Sequence, residues 1–403
     1  MTFLVMPALR KTQLSDRMAI VAVAAMIGVM FAGSTLLTPL YVIYKQKYGF
    51  SGITLTLIYA VYVVGNLTAL LIFGRLSDQV GRRRAALPAM AVAVLSTLVF
   101  LIADGTGALY WARALSGLGI GVAAGSGIAW LAELVGERDK ARAAMIATST
   151  NFVGLGLGPL VAGLLAQYAP WPLHLSFVVY LVAVAVIAAM IWRTPETVAH
   201  PARALSEVSF APRVGVPREI RKQFVAPAVT GFGAMALVGF FAALAPTILA
   251  QELKVESHAA AGALVFELAA ICAAVILVTH RLSSRAAMLW ALVLMIPSVA
   301  MLVAAQLLAS LSVMIAATAV CAVSAGLGYR SGVQMVNQIA PEDRRAEVVS
   351  SFFICCFVGN ALPVIGVGVI TAYSNMTLAS SIFAGMIALF ATVALAFGIK
   401  YTK

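Results

Sequence analysis

Charge is scarce in this chain. Asp, Glu, Lys and Arg make up 10% of its 403 residues, against 62% hydrophobic residues. A soluble domain is about half apolar and about a quarter charged. A soluble fold of this size could not cover its own core with so little polar surface. The mean hydropathy of +1.01 agrees. The class implied is a polytopic membrane protein. Cysteine is scarce too. Cys272, Cys321, Cys355 and Cys356 all fall in apolar runs, without the paired spacing of a zinc site. They read as small buried apolar residues. Of the four histidines, His200, His258 and His280 sit in loops or at run ends, and His174 reads as an ordinary interface residue, like Asp104. None forms a metal pair. No nucleophile triad and no phosphate-cradling loop with lysine is present, so neither an enzyme, ATP hydrolysis, a metal nor a cofactor is expected. The net charge of +12 would suggest nucleic acid in a soluble protein. Here the basic residues sit in short loops, which membrane topology explains better.

What is present is a series of long apolar runs. A helix needs about 20 apolar residues to cross the hydrocarbon layer. On that ruler twelve spans are expected, near 18–44, 53–76, 85–103, 107–134, 143–167, 172–192, 223–250, 257–280, 287–306, 309–336, 347–372 and 376–399. Arg10, Lys11 and Arg17 precede the first run. That run is too long for a signal-peptide core, so it is expected to remain as the first span. The expected division is a six-helix bundle over 1–192, a linker over 193–222 and a second bundle over 223–403. The linker is the longest polar stretch, with room for a short surface helix.

With the N-terminus taken as cytoplasmic, 22 of the 27 basic residues fall on that side. Lys45, Lys47 and Lys254 fall on the other, and Arg113 and Arg330 lie within spans. This bias puts both termini inside and requires an even number of spans. The two halves also repeat. SGIAWLAELVGERDKARA from Ser126 aligns with SGVQMVNQIAPEDRRAEV from Ser331. GRLSD at Gly74 aligns with HRLSS at His280, and Pro39 with Pro246. A duplicated body of this kind implies a transporter with a cavity between its halves.

At this point the chain resembles the Major Facilitator Superfamily over essentially its whole length. Gly74 to Arg84, GRLSDQVGRRR, is similar to that family's loop 2–3 motif. Arg113 with Gly117 and Gly121 resembles the fourth-span motif of its proton-coupled branches. Gly154, Gly158, Pro159 and Gly163 resemble the fifth-span motif of its drug:proton antiporters, with Ala162 in place of the first of two terminal glycines. The resemblance implies an all-α membrane protein of twelve helices in two pseudo-symmetric six-helix bundles. It also implies a cytoplasmic latch of Gly74, Asp78, Gly81, Arg82 and Glu133. There Asp78 would sit against the start of span eleven near Ala346, where the helix dipole favours an acid, and Glu133 would pair with Arg82. Such a latch would hold the outward-facing state and break on inward opening.

Few ionisable residues lie deep in the spans. Glu267 is about ten residues into span eight, near the midplane at 1.5 Å per residue. A carboxylate there costs at least a few kcal/mol, so it is expected to face the interior. It is the candidate proton carrier, and a structural carboxyl is the other reading. Arg113 and Arg330 could hold an anionic substrate or compensate Glu267. Thr38, Tyr41, Asn66, Asn151, Phe241, Gln334 and Asn360 are further cavity candidates. For the three asparagines helix packing is an equal alternative. Span one contains no acid, a departure from the antiporter pattern that also weakens the case for a broad cation pump. The function expected is export of a drug or metabolite across an inner membrane by proton antiport, with proton-coupled uptake of an organic anion as the alternative. A receptor or scaffold that kept the fold is a third reading, and the short loops speak against it. The expected partners are a small-molecule substrate, protons and the lipid bilayer, with the protein a monomer.

Overall fold

The computed structural model describes residues 14–136, 139–199, 201–202, 209, 212 and 214–402. Arg10, Lys11, Arg138, His200, Arg203, Arg213 and Lys403 lie outside them. Among the described residues there is no strand, and twelve helical segments are long and apolar enough to cross a membrane. They are Asp16–Tyr48, Gly52–Phe73, Arg82–Leu101, Thr106–Val135, Ala141–Tyr168 and Leu175–Trp192, then Arg218–Gln251, His258–Val278, Ser284–Leu307, Leu311–Ile339, Glu342–Tyr373 and Met376–Tyr401. They are called spans one to twelve below. The end carrying loops 2–3, 4–5, 8–9 and 10–11 is called the basic end.

Local chemistry sets the helix limits. Ser51, Ser257, Ser283 and Ser310 each accept a backbone N–H from the first turn of the span that follows, and Asn375 does the same for span twelve at 2.8 Å. These side chains satisfy donors that a helix start leaves unpaired. Span one is not continuous. Its α-helix runs Asp16–Thr35, a 3-10 turn covers Thr38–Leu40, and a second helix follows over Tyr41–Tyr48. Pro39 is the cause: it has no N–H to give Thr35, and its ring crowds that carbonyl. Span two stops at Phe73, before a separate short helix, Leu76–Val80.

The packing repeats by a shift of six spans. In the first six, the main contacts join spans one and four, one and five, one and six, two and four, three and four, and three and six. In the second six they join seven and ten, seven and eleven, seven and twelve, eight and ten, nine and ten, and nine and twelve. Two main seams join the sets: span five with eight, and span two with eleven. The same shift exchanges these seams. The fold is thus two pseudo-symmetric six-helix bundles.

Glycines make the tight contacts of span five. A Cβ on Gly154 or Gly158 would strike the backbone of Gly28 or Ala32 in span one, and one on Gly163 would strike that of His258 in span eight. Gly154 and Gly158 therefore close the first bundle, whereas Pro159 and Gly163 pack on the opposite bundle. Small residues at such positions are what let membrane helices approach closely. Large apolar side chains such as Val64, Trp111, Val182 and Leu389 are more than half exposed, as suits a surface facing lipid.

Candidate functional site

A cavity of about 210 Å³ lies between the bundles. A single water needs only about 10–15 Å³ on this measure, so the space suits an organic molecule. From the first six spans it is lined by Phe31, Ser34 and Thr35 of span one, Tyr59, Tyr62 and Asn66 of span two, Gly121 and Gly125 of span four, and Asn151 and Phe152 of span five. From the second six come Met235 and Ala242 of span seven, Tyr329 of span ten, and Phe353, Phe357 and Asn360 of span eleven. The lining continues to Gly74 and Ser77, so the cavity reaches the basic end.

The opposite end is sealed by contacts between the bundles. Thr38 Oγ1 donates to the Ala242 carbonyl at 2.7 Å. Gly368 of span eleven packs on Thr56 of span two, and Gly262 of span eight on Pro159. The Tyr59 and Tyr62 hydroxyls donate to Asn360 Oδ1 at 2.9 and 2.7 Å. Asn360 Nδ2 donates in turn to the Met235 carbonyl at 3.3 Å.

Above this bridge lies Arg113, 0% exposed. Its guanidinium donates to Ser34 O at 2.6 Å, Tyr59 O at 3.2 Å and Ile58 O at 3.4 Å. It also sits 4.6 Å from the Tyr62 ring centre and 5.6 Å from that of Tyr59, within range of cation–π attraction. Ser34 is in the last turn before the Pro39 break, where carbonyls lose their helical partners. Arg113 supplies a donor there. It does not line the cavity, and it has no acid partner among the described residues.

At the basic end, Arg82 is 6% exposed. It bonds Asp78, Ser77 Oγ at 2.8 Å, and Glu133 through Nη2 to Oε1 at 2.6 Å and Nε to Oε2 at 3.1 Å. Thr197 also donates to Glu133. Among the described residues Asp78 bonds only Arg82, and its side chain is 56% exposed. No hydrogen bond joins it to span eleven, and Ala346 is exposed. Of the contacts expected of a latch, those of Arg82 within the first bundle are made, and none between the bundles is seen among the described residues. Gly81 turns the chain into span three at φ +105°, a region where only glycine is unstrained. There the Glu196 carboxylate accepts from the Arg82 N–H at 2.8 Å and the Arg83 N–H at 3.0 Å. An anion at a helix start satisfies free donors and complements the dipole.

Several expected cavity residues lie elsewhere. Arg330 donates to the Thr279 carbonyl, to Thr279 Oγ1 at 2.8 Å, to Leu282 O at 2.7 Å and to His280 O at 3.3 Å. It caps the end of span eight, where unpaired carbonyls favour a cation. Gln334 is exposed and accepts from Ser284 at 3.1 Å. Phe241 is 0% exposed and packs edge-on against Phe240. Tyr41 is buried in the core and Thr38 is part of the seal. Glu267 does not face the cavity. Span eight touches span five through Gly262, Phe266 and Ala269, and span ten through Cys272 and Val275. Glu267 shares its face with exposed Ala263 and Ala274 and is itself half-buried. It has no hydrogen bond or ion pair among the described residues. Asn66, Asn151 and Asn360 do meet at the cavity. The aromatic members, Tyr59 and Tyr62 above all, were not among the expected residues. Their spacing with Asn66 places all three on one helix face, a signal present in YAVYVVGN.

Comparison with known proteins agrees with this architecture. The family model described as Major Facilitator Superfamily matches residues 23–364. The chain belongs to the Major Facilitator Superfamily. It is 26% identical over 233 residues to the chloramphenicol resistance protein CraA of Acinetobacter baumannii, a match covering 57% of this chain and 54% of that protein. The chain thus spans about half the length of that relative, and 20% of the efflux transporter aclA of Aspergillus oryzae, 35% identical over 115 residues and 27% of this chain. The superfamily member MdtL of Escherichia coli, a multidrug resistance protein, is 24% identical over 347 residues, covering 82% of this chain and 85% of MdtL. Among solved structures, a bacterial homologue of the human lysosomal transporter Spinster, inward-facing and unoccupied, superposes with a TM-score of 0.73 at 14% identity, over 98% of this chain and 99% of that one. That likeness shows the shared fold.

Proposed function

We propose that this superfamily member exports a small organic molecule by alternating access in exchange for protons. The observation that carries the reading is the cavity between the bundles, reaching one end and sealed at the other. A transporter of this design rocks its bundles about a central site. The repeated seams, five with eight and two with eleven, are where such rocking would occur. With the basic end cytoplasmic, the form described here faces inward, and the parted latch fits that state. Export is favoured by the relatives named for multidrug or chloramphenicol resistance. An inner membrane with both termini inside is the corresponding location, and a monomer the corresponding unit. Glu267 remains the candidate proton carrier. It is the only mid-span carboxyl among the described residues, and it is unpartnered. From its position it would act through the contact of span eight with span five, without competing with substrate in the cavity.

Uptake of an organic anion has less support, because Arg113 and Arg330 both spend their donors on backbone carbonyls. The test uses inside-out vesicles energised with a pH gradient, loaded with the wild type or Glu267→Gln. Export predicts drug accumulation in wild-type vesicles, proton release from the lumen on adding drug, and loss of both in the variant. Drug accumulation by intact cells would overturn the direction. Flux untouched by a protonophore would overturn proton coupling, and unchanged coupling in Glu267→Gln would remove that residue from it.

A further inference from the structure

The face that Glu267 occupies decides what can reach it. At 3.6 residues per turn, each residue of span eight is rotated about 100° from the one before. The exposed residues of that span are Ala263, Ala274, Leu277 and Val278. On this wheel all four fall within about 80° of Glu267, so Glu267 lies near the middle of the exposed arc. The buried residues Val265, Ala269, Cys272 and Ile276 fill the opposite side. Span five flanks the arc through its contact with Phe266, and span ten flanks it through Val275. No residue of span eight lines the cavity. The arc is therefore the side of the span that meets lipid.

Depth and isolation set this carboxyl apart. Span eight has 21 residues in its helix, His258–Val278, and Glu267 is roughly 14 Å from its first residue at 1.5 Å per residue. Every other described carboxyl sits at a helix end or in a loop. The neighbours of Glu267 on the arc, Ala263, Ala270 and Ala274, are small, so no larger side chain of span eight screens it. No Lys, Arg or His pairs with it among the described residues. A molecule dissolved in the bilayer can approach this acid, whereas a charged solute in water is kept from that depth.

We propose that Glu267 is a modification site entered from the bilayer, and that the class of reagent it takes is a lipid-soluble carbodiimide. The acid form of the carboxyl reacts. Its proton passes to one carbodiimide nitrogen, and the carboxyl oxygen bonds to the central carbon as one C=N π bond gives up its electron pair. The neighbouring nitrogen then attacks the acyl carbon. The acyl carbon–oxygen bond breaks, the oxygen stays on the central carbon as a urea carbonyl, and a stable N-acylurea remains. Both reactants are kept whole in the product, and neither an oxidant nor a reductant is needed. Water, which would hydrolyse the first adduct, is scarce in the hydrocarbon layer. The adduct lies outside the cavity, so it is expected to stop proton exchange while leaving the cavity open. That effect on transport rests on the proton-carrier reading, but the modification does not.

The experiment treats the full chain in lipid vesicles with dicyclohexylcarbodiimide and, separately, with a water-soluble carbodiimide bearing a quaternary ammonium group. Adducts are located by peptide mass spectrometry. Glu267 is expected to gain the mass of one whole dicyclohexylcarbodiimide, and to be labelled about tenfold less, or lower still, by the charged reagent. Glu267→Gln is expected to lose the adduct from span eight. Adding Ala274→Glu to that variant returns a carboxyl to the same arc about two turns further on, and the adduct is expected to return with it, which also guards against a variant that fails to fold. No adduct at Glu267, equal labelling by the two reagents, or an unlabelled Ala274→Glu protein would overturn the proposal. An adduct at Glu267 with proton release from the vesicles unchanged would leave the site standing and defeat the proton-carrier reading.

Discussion

Replacing Asn360 with Leu tests how the sealed end is held. In the form described here, Asn360 Oδ1 accepts from Tyr59 at 2.9 Å and from Tyr62 at 2.7 Å. Both bonds run between bundles, so both must break when that end opens. The bond from Asn360 to the Met235 carbonyl lies within the second bundle, so opening that end need not break it. Leucine keeps the volume and removes the acceptor. The freed hydroxyls border the cavity and can bond water, so no orphan penalty is added. Each lost bond is worth about 1 kcal/mol net, giving about 2 kcal/mol, or about thirtyfold, toward the state open at the opposite end. Thr38→Val removes a third bond between bundles and adds about 1 kcal/mol if it acts independently. The assay is double electron–electron resonance between spin labels at exposed Lys47 and Glu256, with the four native cysteines replaced and no substrate present. The distance distribution is expected to gain weight at long separations in Asn360→Leu, and more in the double variant. An unchanged distribution, or a shift to shorter distances, would refute the reasoning.

Three further outcomes are expected. Gly158→Val places a side chain on the Ala32 backbone and should abolish the monodisperse folded peak in size-exclusion chromatography, whereas Gly366→Val, with nothing within 4 Å of the added Cβ, should leave it intact. Arg330→Met leaves the carbonyls after span eight without their donor and should cost about 2 kcal/mol; thermal unfolding in detergent should show a lower midpoint, with transport in the vesicle assay unchanged. Arg82→Met should cost about 3 kcal/mol, because it strands Glu133 beside a buried gap, while Asp78→Asn, at an exposed side chain, should cost about 1 kcal/mol or less. The reverse order in unfolding midpoints would show that Asp78, rather than Arg82, anchors the network.

The twelve spans were legible because hydropathy and length suffice to detect a crossing helix. The pairing of Glu133 with Arg82 came from the family motif, and the asparagines from the rarity of amides in apolar runs. Direction was harder to read. In a membrane helix the lipid face and the core face are both apolar, so Glu267 carries no sequence signal for the side it occupies. Span seven is buried on nearly all sides, so periodicity could not tell whether Phe241 faces cavity or core. Arg330 looked like a cavity charge because its depth in span ten was readable, whereas the nearby end of span eight, which it caps, was not. Glu196 escaped notice because its partners, the amides of Arg82 and Arg83, lie more than a hundred residues away.

The Glu196 clasp has a consequence for the order of assembly. Spans three and four are both synthesised before Glu196 and Thr197, yet these two residues finish the joint between the start of one and the end of the other. The first bundle therefore cannot complete its basic end until its sixth helix has been made and the chain has turned back. A ribosome paused after span four would hold an Arg82–Glu133 pair with its amides uncapped. Completion of this joint coincides with completion of the bundle, so a nascent chain that misplaces span six would be left with a frayed start to span three that quality-control proteases can reach.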